Sequence, residues 1–228
     1  MGGFKNAETK NAFSSNLFDF IVEKLLLCSK MMKEECLISA CLIENHEEKI
    51  RNRLLEGYLE KDEVRSKIGL DKVHLRFIPE VPESYKSAEA IYIGRADIKV
   101  VTENWFLNQK DYYTIECKRI DGSADLNKKY VIKGIARFVL KPVKYPSFHG
   151  KNIMFGLVVK EIDIEDNAMK INNIQKNDLN GAIIKQCFCK IYNPSNEAYT
   201  YSSKYLVNGS ILELQHLFFD FSSVIKIK

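Results

Sequence analysis

Tyr92-Ile93-Gly94-Arg95-Ala96-Asp97-Ile98-Lys99-Val100, followed after a polar connection by Tyr112-Tyr113-Thr114-Ile115-Glu116-Cys117-Lys118, is the stretch on which the fold turns. Side chains alternate between the two faces of a strand. In the first segment this predicts Ala96, Ile98 and Val100 toward a core and Arg95, Asp97 and Lys99 on the opposite face. In the second it predicts Tyr113, Ile115 and Cys117 inward, with Thr114, Glu116 and Lys118 projecting the other way. The connection, residues 102–111, shares its midpoint with the interval from Asp97 to Glu116. An antiparallel hairpin would therefore set these two carboxylates opposite each other, with Cβ atoms about 5 Å apart.

Two unscreened carboxylates so placed repel by a few kcal/mol, roughly 4 at an effective dielectric near 20, which calls for a cation or a raised pKa. A divalent ion satisfies both and can also neutralise a phosphate and acidify water. Lys118, one strand repeat beyond Glu116, would hold an ammonium beside the same phosphate, to orient water or stabilise developing negative charge. Glu-x-Lys also occurs at Glu8-Thr9-Lys10 and Glu47-Glu48-Lys49, and Asp-x-Lys at Asp97-Ile98-Lys99, so the tripeptide alone carries little. The instance at Glu116 differs in lying on an apolar strand with an aspartate on the neighbouring one. The plainer alternative is an edge hairpin with a solvated charged face.

Working outward, residues 15–42 have helical spacing (Leu17, Phe18, Ile21, Leu25, Leu26), with Ser14 or Ser15 as a cap, and read as one long helix or two short ones. Asn45 can cap a second helix whose apolar stripe is Ile50, Leu54, Leu55, Tyr58 and Leu59. Residues 73–78, 90–101 and 112–120 read as strands, broken by Pro79, Pro82 and a polar loop, and residues 125–139 return to helical spacing. A loop at 141–151 precedes strand candidates at 153–162, 183–192 and 211–221. No repeat or linker separates a second domain; residues 1–44 read as a helical extension of an α/β unit spanning 45–228.

At 228 residues with 46% hydrophobic content, the chain can bury one sizeable core. A net charge of +4 permits an anionic partner without requiring one. Neither a leader nor a membrane span is expected, which predicts a soluble cytoplasmic protein. The cysteines, including the Cys187-Phe188-Cys189 pair, lack zinc-ligand spacing, and reduced thiols are expected. The histidines show no ligand spacing, and no Gly-x-Ser-x-Gly or phosphate-cradling glycine loop supports a serine hydrolase or nucleotide hydrolase.

Lys129, Lys133 and Arg137 recur four residues apart, a like-charged face that a phosphate backbone would compensate. The following loop interleaves bases and aromatics (Lys144, Tyr145, Phe148, Lys151), which suits backbone contact plus base stacking.

The order Gly94-Arg95-Ala96-Asp97, then Ile115-Glu116-Cys117-Lys118, resembles the PD-(D/E)XK nuclease superfamily, over roughly residues 45–137. Ala96 stands where the eponymous proline would be. The resemblance implies a restriction endonuclease-like mixed central sheet flanked by helices and magnesium-dependent (or manganese-dependent) hydrolysis of DNA, in restriction, phage defence or repair. Asp97, Glu116 and the Cys117 carbonyl would then ligate the ion. DNA is the expected partner, with RNA left open, and the N-terminal helices could form a homodimer contact. The superfamily often adds a glutamate from a preceding helix; Glu47, on the stripe of Ile50 and Leu54, is the better candidate ligand and Glu48 the better capping residue. Glu80 offers a further carboxylate, although a solvent-facing loop position is the simpler expectation.

Overall fold

The structure, a computed structural model, describes residues 3–191 and 198–226. Helix α1 (Gly3–Ile38) is followed by β1 (Ile43–Glu44), α2 (Glu47–Leu54) and a π-helical turn (Leu55–Leu59), then by α3 (Asp62–Lys67). Strands β2 (Leu75–Lys86), β3 (Ile91–Thr102) and β4 (Tyr112–Ile120) come next. Then follow α4 (Ala124–Lys129), a second π-helical turn (Tyr130–Ile135) and α5 (Ala136–Val139). The chain continues through β5 (Lys151–Val158), α6 (Ile164–Asp178), β6 (Ile183–Ile191), β7 (Ala198–Val207), β8 (Ser210–Asp220) and β9 (Ile225–Lys226).

Seven strands form one mixed sheet in the order β2-β3-β4-β5-β8-β7-β6, in which β4, β5 and β8 run parallel and the remaining pairings are antiparallel. This is the α/β architecture expected, with helices on both faces. On one face Phe18, Ile21, Leu25 and Met32 of α1 and Ile50 and Leu54 of α2 pack against Ile98, Ile115, Ile153 and Phe155. On the other, Tyr130, Val131 and Ile135, Phe138 of α5 and Ile171 of α6 cover Met154, Leu214 and Phe218. Both faces of β4 are therefore covered, and it reads as an interior strand, buried at every position but Arg119. The alternative of a solvated charged hairpin is thereby overturned. Among the described residues, no helix is long and apolar enough to cross a membrane.

Several local expectations are corrected. Helix α1 runs straight through positions 14 and 15, so no helix begins there. Helix α2 starts from His46 with no side-chain cap, while the Asn45 amide oxygen instead accepts from the Arg119 guanidinium at 2.7 Å. Strand β2 continues through Pro79 and Pro82 because it is an edge strand, where a missing N–H breaks no ladder on the open side. Helix α6 and strand β7 had no counterpart in the reading of the sequence: α6 is rich in polar residues, and β7 buries Thr200, Ser202 and Ser203 in place of an apolar alternation. The strand expected at 183–192 ends at Ile191, and residue 192 lies outside the described residues.

Candidate active site

The ladder between β3 and β4 covers only Ile98↔Ile115 to Val101↔Tyr112. Beyond Ile115, β4 keeps its parallel pairing with β5 on one edge while β3 diverges from the other. Continued by one step, this register would set Asp97 opposite Glu116, but the pair lies just beyond the ladder, where the two strands part. At the divergence, the Cys117 amide, an edge donor that must find a partner, donates to Asp97 Oδ2 at 2.8 Å. The alternation of faces also breaks there. Ala96 joins the core on one side of the sheet while Ile98 and Val100 belong to the other, so the three do not share a face as expected.

Glu116 is fully buried and Lys118 nearly so, on the face of β4 toward α5. The Lys118 ammonium lies 2.8 Å from Glu116 Oε1, 2.9 Å from Glu47 Oε1 and 3.7 Å from Asp97 Oδ2, and donates to the Cys117 carbonyl at 2.6 Å. Helix α2 supplies Glu47, whose second oxygen accepts from the Arg119 amide at 3.1 Å. One turn further along α2, Arg51 donates to Asp97 Oδ1 at 2.8 Å and to Glu80 at 2.7 Å. From the opposite layer Arg137 of α5 donates to Glu116 Oε1 at 2.8 Å and to the Tyr145 hydroxyl. The centre thus joins strands β3 and β4 with a helix from each face, at the floor of an open cleft of about 410 Å³.

Burial first, and the charge of Asp97 second, push the Glu116 carboxyl up to about 7, against the opposing pull of Lys118 and Arg137. For Lys118 burial works in the other direction, yet the carboxylates of Glu116, Asp97 and Glu47 outweigh it and raise its pKa. The second Glu116 oxygen, Oε2, is buried with no hydrogen-bond partner. A buried anionic oxygen left in this state is costly, and a hard cation or a proton relieves it. The donor set of Asp97, Glu116 and the Cys117 carbonyl, all oxygen, suits magnesium or manganese. Glu47 meets the other two through the Lys118 ammonium, and among the described residues no three carboxylate, thiol or imidazole side chains gather into one cage.

Of the expected nucleic-acid contacts, Lys144 is exposed and lines the cleft together with Glu48, which caps nothing. Lys129 and Lys133 are exposed outside the cleft, Lys129 paired with Asp125 at 2.7 Å. Of the three, Arg137 lines the cleft, and the π-helical turn Tyr130–Ile135 lies between it and Lys129. Tyr145 is corrected from a stacking residue to a core one. It is fully buried, and its hydroxyl donates to the Arg95 carbonyl. Glu80, expected as a loop residue, lies within β2 and pairs with Arg51 and Arg95. Arg51 was missed; its one signal was the spacing of four residues from Glu47 on a helix already assigned to the site. The chain matches no family model, no curated protein and no solved structure.

Proposed function

We propose that this chain is a metal-dependent nuclease of the PD-(D/E)XK type, restriction endonuclease-like in fold, that hydrolyses DNA phosphodiester bonds. The observation that carries the reading is the buried, unpartnered Glu116 Oε2, in a centre where Asp97 and the Cys117 carbonyl supply further oxygen atoms. Asp97, Glu116 and Cys117 would hold magnesium, which when bound neutralises the phosphate and lowers the pKa of water.

The rest falls to the protein's own cations. Lys118 stays protonated because three carboxylates raise its pKa, so it serves as a donor to the attacking water or to developing phosphate charge and not as a general base. Glu47 fixes that ammonium by accepting from it while being held by the Arg119 amide. Arg51 orients Asp97, and Arg137 and Lys144 stand where a phosphate entering the cleft meets positive charge.

A second reading is favoured by one observation: Asp97 and Glu47 are each already satisfied at both oxygens, by Arg51, Lys118 and two backbone amides. Such a centre would also suit a nucleic-acid-binding module that keeps the fold without cutting. Incubation of plasmid, linear and branched DNA with magnesium or manganese, comparing wild type with Lys118→Ala, separates the two. Cleavage lost in the variant supports the nuclease; retained DNA binding with no cleavage by wild type supports the module.

A further inference from the structure

Strands β2 and β3 pair along their whole length, 75–86 with 91–102, whereas β4 flanks β3 only from Ile98 onward. Residues 81–96 consequently run beyond the sheet as a two-stranded ribbon. Most of such a ribbon faces water, and folding alone gives little reason to place large rings there. Nevertheless Tyr85 and Tyr92, direct cross-strand partners, are 56% and 58% exposed, with ring centroids 5.1 Å apart and planes tilted by 51°. Tyr92 forms part of the cleft wall that also holds Asp97 and Lys118. The same wall carries two exposed cations, Arg95 and Lys144.

We infer that the Tyr85–Tyr92 pair is a stacking platform for an unpaired nucleobase, so that the substrate of this cleft is single-stranded DNA. The proposal rests on the nuclease reading for the fate of the strand, but not for its binding. Every base has a π-face, so two rings can hold one without reading its identity. Arg95 and Lys144 would meet the flanking phosphates, charge complementary to a strand lying along the wall. In a duplex the base faces are stacked on one another, so only base edges and backbone are offered to the rings. The platform therefore discriminates strandedness, a property that Asp97, Glu116 and Lys118 do not provide. A purely structural role for the rings, as a cross-strand pair stabilising the ribbon, predicts no such discrimination.

The test is fluorescence anisotropy of a labelled oligonucleotide of about 20 bases, single-stranded or annealed to its complement, with full-length protein in chelator so that no strand is cut. Wild type is expected to bind the single strand at least about 10-fold more tightly than the duplex, in line with the usual contribution of one stacked base. Tyr92→Leu, which keeps apolar bulk on the ribbon but lacks a π-face, is expected to lose about 10-fold on the single strand only, and Tyr92→Phe to retain wild-type binding. Equal affinity of wild type for the two forms, no binding to either, or a loss in Tyr92→Leu that is the same for both would overturn the platform. Metal-dependent cleavage is scored separately. Cutting of duplex with no dependence on Tyr92 removes the platform and leaves the nuclease. Strand-selective binding without cutting removes the nuclease and leaves the platform.

Discussion

Lys118 Nζ lies 2.9 Å from Glu47 Oε1, so a strand buried on both faces and a helix more than sixty residues earlier in the chain meet through one ammonium ion. Glu47 is in turn tied to β4 a second time, through the Arg119 amide. The placement of Lys118, whose ammonium reaches all three site carboxylates, therefore depends on how α2 docks against the end of β4.

If Lys118 donates to the reacting groups, Lys118→Ala lowers metal-dependent cleavage by about 100-fold or more. Glu47→Gln, acting through Lys118, produces a smaller loss. Because the two act as a unit, the double variant falls no further than Lys118→Ala alone. Initial cleavage rates of the four proteins close the cycle, and additive losses would show that Glu47 works independently.

Arg51 is 3% exposed at its side chain and neutralises Asp97 and Glu80 together. Arg51→Leu leaves Asp97, itself only 13% exposed, with only the more distant Lys118 ammonium, at a cost of about 3 kcal/mol. Urea denaturation in chelator measures it, and manganese is expected to restore part of the loss by placing positive charge beside Asp97. A wild-type midpoint for the variant would contradict the assigned role.

Glu116 contributes to stability in the opposite sense. Its folded pKa of about 7 lies above its unfolded value, so the stability it confers is fully present below the unfolded pKa of about 4.3 and is lost as pH rises through 7. At pH 8 the metal-free protein carries a buried carboxylate penalised by burial and by Asp97. Glu116→Gln is expected to abolish cleavage while raising metal-free stability at pH 8 by about 1 kcal/mol, with no gain at pH 4. Paired urea titrations at the two pH values give the sign.

His216 is buried between the Tyr130 hydroxyl at 3.0 Å and the Ser203 hydroxyl at 2.7 Å, and burial pushes its pKa down to about 3. With the folded value below the unfolded one of about 6.5, the unfolded chain takes up the proton first. Stability present above pH 6.5 is then lost toward pH 3, by at most about 1.4 kcal/mol per pH unit. His216→Gln, although less stable at neutral pH, is expected to show a shallower loss between pH 7 and 5. An unchanged slope would place the acid sensitivity in other groups.

How far the site could be read in advance follows from the range of each signal. The period of a strand is local, so Glu116 and Lys118 on one face of β4 were legible, as was an antiparallel β3–β4 register that points Asp97 toward Glu116. Glu47 was legible as part of a helical stripe. The same rule failed one residue away at Ala96, where the alternation of faces breaks. The helical period failed at Lys129 and Lys133, which lie outside the cleft that Arg137 lines. Tyr145 sat in a loop whose pattern of bases and aromatics suited a surface, and only packing against Phe138 and Gly94 decided otherwise.

Alternation and helical periodicity alone determined an α/β chain with a carboxylate pair and a lysine on adjoining strands. Tertiary structure decided that β4 is interior, that Arg51 reaches Asp97 and Arg137 reaches Glu116 from opposite layers, and that one oxygen of Glu116 is left buried without a partner. The difference is one of distance along the chain: backbone sterics fix where neighbouring side chains point, whereas burial and ion pairing between residues as far apart as Glu47 and Lys118 exist only once the layers have closed over the sheet.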